Sequence, residues 1–156
     1  MKYINMGVLL SKQFENGEFA KYDMIIRYLF VKKYIVKGKG KKLAYGLYAK
    51  LARASTTKNR KKSFIRLINS FNENGYDENF PLEISKDYHI CGGTHRFAIC
   101  LYLGINKIPY IRKNTCRSKT RKFTKTWLMS NGFTEGNILQ IEKIKKKVFK
   151  KYGISK

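Results

Sequence analysis

The sequence predicts a mixed α/β (α+β) fold: a small mixed sheet with helices, flanked by extra N- and C-terminal helices. Three observations carry that expectation. Strand-type runs at residues 82–85, 88–90 and 107–111 bracket an apolar helical run that stops at Gly104. Apolar residues recur at helical spacing through residues 22–36 and 43–53. A last stripe, Ile138, Ile141, Ile144, Val148 and Phe149, opposes a lysine face within residues 134–152. At 156 residues and 43% hydrophobic, the chain closes one sizeable core. A single domain is therefore expected, with a centre at about 60–112, a helical portion at 20–58 and the C-terminal helix.

Taken in order, residues 1–12 hold an apolar patch too short for the middle of a signal peptide. No apolar run reaches the roughly eighteen residues of a membrane span, so a cytoplasmic protein is expected. In the helix at 22–36, Asp23 near the start and lysines near the end complement the helix dipole. Asp23 and Arg27 stand four apart and share a face. They read as a surface ion pair worth about a few tenths of a kcal/mol, ahead of a ligand contact. Gly38 and Gly40 break the pattern and mark a basic loop. After the helix at 43–53, Ser55, Thr56 and Thr57 supply a cap for a helix at 58–72 with Phe64, Leu67, Ile68 and Phe71 on one face. Gly75 ends it, and Pro81 starts the next strand. Arg53, Arg60 and Arg66 lie in this helical region, any one of them placed to reach a shared phosphate.

The run from Ile90 to Gly104 is the most informative. A strand turns into a buried helix at Gly92-Gly93, where glycines admit backbone angles closed to other residues and let a ligand approach the main chain. The free N–H groups of the next turn, with the positive end of the helix dipole, make an anion site. Arg96 can fork onto two phosphate oxygens, His95 can donate a proton or hydrogen bond near neutral pH, and the Thr94 hydroxyl can cap the helix or touch the ligand. The plainer alternative is a glycine turn feeding a core helix, with His95 and Arg96 merely solvated. Residues 107–111 form a second strand, with Pro109 placing it at an edge or a strand boundary. The basic, hydroxyl-rich connection at 112–125 is a solvated linker or a loop closing on a phosphorylated ligand.

These residues also carry a resemblance. Asp87-Tyr88-His89-Ile90-Cys91-Gly92-Gly93-Thr94-His95-Arg96-Phe97-Ala98, with Leu103-Gly104-Ile105 and Lys107-Ile108-Pro109-Tyr110-Ile111, resembles the signature region of the ParB/sulfiredoxin superfamily. The resemblance implies a ParB/sulfiredoxin-like mixed sheet and a helix, opened by His-Arg, that binds nucleotide phosphates. Residues 64–81 and 21–29 are similar to a ParB-like subgroup whose members often appear with capsule or lipopolysaccharide biosynthesis, which implies a polysaccharide setting. Two departures stand out. Sulfiredoxins place a catalytic cysteine where this chain has Thr94, so sulfinic acid reduction is not expected. Many ParB-like proteins and free serine kinases place an acidic residue where this chain has Gly92, so phosphotransfer would need another carboxylate or none.

The formal charge of +24 concentrates polyanions and phosphorylated ligands without choosing among nucleic acid, an anionic membrane surface and small molecules. Lysine outnumbers arginine heavily, which suits solvated faces better than base readout. The basic C-terminal helix packs on its own domain or lies on a peripheral anionic membrane or a partner. Cys91, Cys100 and Cys116 make no disulfide framework; Cys100 reads as core and Cys91 as a partly exposed thiol. His89 and His95 make no zinc set, and no metal site is expected, Mg2+ entering only as a nucleotide companion. The expected protein binds ATP or another nucleotide, or a phosphorylated small molecule. It is a kinase-like phosphotransferase or nucleotide hydrolase acting on a small molecule or glycan precursor. Gly92, Gly93, Thr94, His95 and Arg96 form its phosphate cradle, His95, Asp87 and Glu83 are the catalytic candidates, and Asp23, Arg27 and Arg60 are secondary contacts. The alternative is a non-enzymatic nucleic-acid-binding module of the same fold. A nuclease is disfavoured by the missing acidic cluster.

Overall fold

Apolar spacing becomes secondary structure in this order: β1 (Lys2–Asn5), α1 (Met6–Ser11), β2 (Phe14–Glu15), β3 (Glu18–Phe19), α2 (Tyr22–Val36), α3 (Lys41–Ala54), α4 (Lys61–Asn74), β4 (Leu82–Ile84), β5 (Ile90–Gly92), α5 (Thr94–Leu103), β6 (Lys107–Arg112), α6 (Lys125–Ser130) and α7 (Glu135–Lys151). This computed structural model describes residues 1–36, 41–55, 58–116 and 123–155. The loop expected at Gly38 and Gly40, the cap expected from Thr56 and Thr57, and the middle of the basic connection at 117–122 lie outside them.

The class is mixed α/β, as expected. A four-stranded sheet runs β1-β6-β4-β5, with β4 parallel to β6 and the other neighbours antiparallel; β2 and β3 form a separate hairpin. The crossover from β4 to β6 passes through α5, whose Phe97 to Leu101 are all buried. This helix packs on α2, whose Met24, Ile25, Ile26, Leu29, Phe30 and Val31 are buried in turn. Burying a side chain such as Phe97 or Phe30 contributes about 1.5–3 kcal/mol. Gly93 starts α5 at φ 90° and Gly104 ends it at φ 72°, the left-handed region that only glycine enters without strain. The C-terminal stripe of Ile138, Ile141, Ile144, Val148 and Phe149 is buried against the chain's own core.

Several expectations need correction. Pro109 does not put β6 at an edge, since β6 lies between β1 and β4. It is tolerated because the β4 register starts only at Tyr110, one residue after the proline. Residues 1–12 supply β1 and α1, strand and helix meeting at Asn5, whose side chain accepts from the Val8 N–H as a cap. The helix expected from 58 starts later, at Lys61; its cap residue Arg60 makes no side-chain cap bond, and Asn59 Oδ1 accepts from the Lys61 N–H at 3.1 Å. Cys91 is no exposed thiol, because a disulfide joins it to Cys116, leaving Cys100 as the buried free cysteine.

The turn between β4 and β5 is fastened from outside. Tyr88 sits at φ 66°, a conformation costing about 1–2 kcal/mol for a residue with a Cβ. The fully buried Gln13 holds it, its amide nitrogen donating to the Tyr88 and Leu9 carbonyls at 2.7 and 2.8 Å while its oxygen accepts from the Ile90 N–H at 3.2 Å. The Arg112 guanidinium covers the Tyr88 ring at 4.5 Å. Replacing Gln13 with Met removes all three of these bonds. Denaturant unfolding is expected to show a loss on the order of 3 kcal/mol, whereas a loss below about 1 kcal/mol would mean that water replaces the amide.

Candidate functional site

Four helices deliver side chains to one place. Arg27 comes from the middle of α2, Tyr48 from α3, Arg60 from the start of α4, and His95 and Arg96 from the first turn of α5. Arg27, Tyr48, Leu51, Lys58, Arg60 and His95 line a lobe of about 370 Å³. A second lobe of about 240 Å³ shares Arg60 and His95 with it and adds Ser63, Phe64, Gly93 and Arg96. Both α4 and α5 begin at this second lobe; Asn59 Oδ1 accepts from the Lys61 N–H at the start of α4, while Gly93 leaves α5 without a side-chain cap, so the α5 first turn and both helix dipoles add to the positive potential.

A chain of hydrogen bonds leads to His95, which both lobes share. Asp23 accepts from Arg27 Nη1 at 2.9 Å, Arg27 Nε–H reaches His95 Nε2 at 3.4 Å, and the Tyr48 hydroxyl lies 2.7 Å from the same nitrogen. Both neighbours of Nε2 are satisfied when it accepts, which assigns the proton to Nδ1. The His95 ring stands edge-on to Phe64, centroids 4.6 Å apart. Burial, reinforced by the charges of Arg27, Arg60 and Arg96, pushes the His95 imidazolium down to about 3. The ring is therefore neutral at physiological pH, so of the proton or hydrogen bond expected from it the hydrogen bond is the one it can offer. Burial also raises the Tyr48 phenol, which stays protonated and able to donate.

Asp23 and Arg27 are not a surface pair, with side chains only 3% and 15% exposed. Asp23 stands behind Arg27, with Lys21 Nζ 4.0 Å away, and its Oδ1 is buried without a hydrogen bond. It pairs with Arg27 and lines neither lobe. Arg96 folds back over the glycine turn. A Cβ on Gly93 would stand 2.6 Å from Leu82 Cδ2 and 3.0 Å from Arg96 Nη2, so the absent side chain is what admits the guanidinium. Arg96 Nε is buried without a hydrogen bond. Thr94 opens α5 but does not cap it, a place taken by Gly93.

Glu83 and Asp87 do not line the cleft. Glu83 alternates with buried Leu82 and Ile84 and lies on the other face of β4, 3.4 Å from Lys113 Nζ. Its Oε2 fills the space a side chain at Gly92 would take, 2.6 Å from where that Cβ would stand. Asp87 is exposed in the turn between β4 and β5. Tyr48 and Lys58 are the site residues that sequence reasoning missed. Tyr48 carried a weak signal as an aromatic on the apolar face of α3, and Lys58 none that set it apart from other lysines.

The lining of the two lobes contains guanidinium, ammonium, phenol and imidazole groups and no carboxylate among the described residues. That set suits phosphate oxygens. No helix among the described residues is long and apolar enough to cross a membrane. Comparison with protein-family models, curated proteins and solved structures finds no match in any of the three.

The low His95 pKa fixes a pH dependence. The folded protein keeps His95 neutral while the unfolded chain protonates it near 6.5, so the contribution is complete above about 6.5 and is lost as pH falls toward about 3. NMR of the ring should show no imidazolium at pH 5. His95→Gln should be less acid-sensitive than the parent between pH 6 and 4, and an ordinary His95 titration near 6.5 would contradict the buried geometry.

Proposed function

We propose that this cleft binds the phosphate of a small molecule or nucleotide, in a ParB/sulfiredoxin-like protein whose chemistry is phosphoryl transfer or nucleotide hydrolysis on a small molecule or glycan precursor. One observation carries the reading. Arg27, Lys58, Arg60 and Arg96 border two joined lobes, and among the described residues no carboxylate is paired with Lys58, Arg60 or Arg96. Positive side chains held together without acids repel one another, and a bound dianion removes that cost. Phosphoryl transfer asks a protein mainly for positioning and charge neutralisation, which guanidinium groups and helix starts supply. Neutral His95, its Nε2 engaged by Tyr48, positions the lobes and donates from Nδ1; with no lining carboxylate, proton removal falls to substrate or water.

A second reading, nucleic-acid binding, is favoured by the open basic lip of Lys58, Arg60, Lys61 and Lys62 that continues the cleft outward. Calorimetric titration of ATP separates the two. Arg60→Gln is expected to weaken ATP by about tenfold or more, the worth of a charge-assisted hydrogen bond, with duplex DNA binding weak at physiological salt. Tight DNA binding with a steep salt slope and no response to ATP would overturn the phosphate-ligand reading.

A further inference from the structure

Beyond the two phosphate lobes lies a third of about 230 Å³, which shares Leu67 and Arg96 with the second and is walled by Phe71, Gly75 and Phe80. Its character is different. Phe80 is a large aromatic left 57% exposed at the rim, in a turn pinned by the Tyr76 hydroxyl donating to the Phe80 carbonyl at 2.7 Å and by the Phe80 N–H donating to the Asp77 carbonyl. Asp77 supplies the one carboxylate of the lining, with Oδ1 accepting from the Asn79 N–H at 3.0 Å. The three lobes form a series. Phe71 and Phe80 wall an apolar end, Arg96 and Arg60 flank the middle where two helices start, and Arg27 and Lys58 stand at the far end past His95.

Resting on the proposed phosphate site, we infer that the ligand is an organic diphosphate laid along this series. The inner phosphoryl group lies between the starts of α4 and α5 against Arg60 and Arg96. The terminal phosphoryl group passes His95 to meet Arg27 and Lys58, and the organic body lies against Phe80 and Leu67, with Asp77 accepting from its hydroxyl or amino groups. A single phosphate can use one charged lobe and leaves the other's cations unneutralised. A diphosphate satisfies both, because Arg60 and His95 are walls common to the two lobes. Asp77 at the opposite end repels a phosphoryl group placed there, which fixes the direction of the ligand.

The probes are orthophosphate, pyrophosphate, AMP and ADP, titrated into the full chain. ADP is expected to bind about tenfold or more tightly than AMP, and more tightly than pyrophosphate. Lys58→Gln, at an exposed residue outside the chain from Asp23 to Tyr48, should erase the ADP advantage over AMP. Lys107→Gln, which removes equal charge but lines none of these lobes, should leave the ratio intact. Phe80→Ser should bring ADP toward pyrophosphate without changing pyrophosphate itself. Equal affinity for AMP and ADP, or a ratio lost equally in Lys107→Gln, overturns the diphosphate assignment while leaving the phosphate site standing. No binding of any of the four anions overturns both.

Discussion

The hydrogen-bond chain from Asp23 through Arg27 to His95 and Tyr48 is the constraint on which the site depends. It crosses α2, α5 and α3, so the relative placement of these helices is fixed by polar geometry as well as by the apolar contacts beneath. Each member has a reason to stay. Asp23 needs a cation because its side chain is almost completely enclosed, Arg27 is steered by Asp23 toward the cleft, and His95 stays neutral because it is buried, with three arginines nearby reinforcing the effect. Breaking one link leaves a buried group without its partner, which costs more than the bond itself contributes.

A ring of cations held apart by a neutral imidazole is an economical way to prepare for an anion. If His95 were charged, another positive group would face Arg27, Arg60 and Arg96; kept neutral, it separates them and offers one directed N–H. The Phe64 ring, perpendicular to the imidazole and stacked on Phe30, ties this electrostatic centre to the apolar core. The site is thus built into the packing of the four helices rather than laid on their surface. Gly93 serves the same end from the main chain, its missing side chain letting Arg96 lie over the turn.

Much of this was legible in the sequence where periodicity was long. The limits of α2 and the extent of α5 between its two glycines follow from apolar spacing and from punctuation by residues that accept a positive φ. The strand-helix-strand unit around the glycine pair was legible for the same reason. Short elements were not. The three-residue strands β4 and β5 carry too few residues to fix their ends, and β1 is recognisable only once β6 lies beside it. The Asn16-Gly17 pair that turns β2 into β3 is a hairpin signal, with both residues at positive φ, that lay between strands of two residues each. In the site, Arg96 and His95 were marked by the turn before them. Tyr48 and Lys58 belong to the site only through tertiary packing, and the burial of Asp23 and Arg27 depends on neighbours that α-helical spacing cannot specify. Glu83 and Asp87 are near the glycines in sequence, yet strand alternation turns one to the opposite face and a turn leaves the other exposed.

The bond between Cys91 and Cys116 has its own bearing on how the molecule comes apart. It closes a covalent ring across a sequence separation of 25 residues that contains all of α5 and β6. A denatured chain with that ring is a lariat rather than a line, and the lost freedom corresponds to about 3 kcal/mol of help to the native form. A reducing cytosol opens such rings, whereas an oxidising surrounding preserves them. The redox state of its surroundings therefore decides how firmly the glycine turn and its helix are anchored.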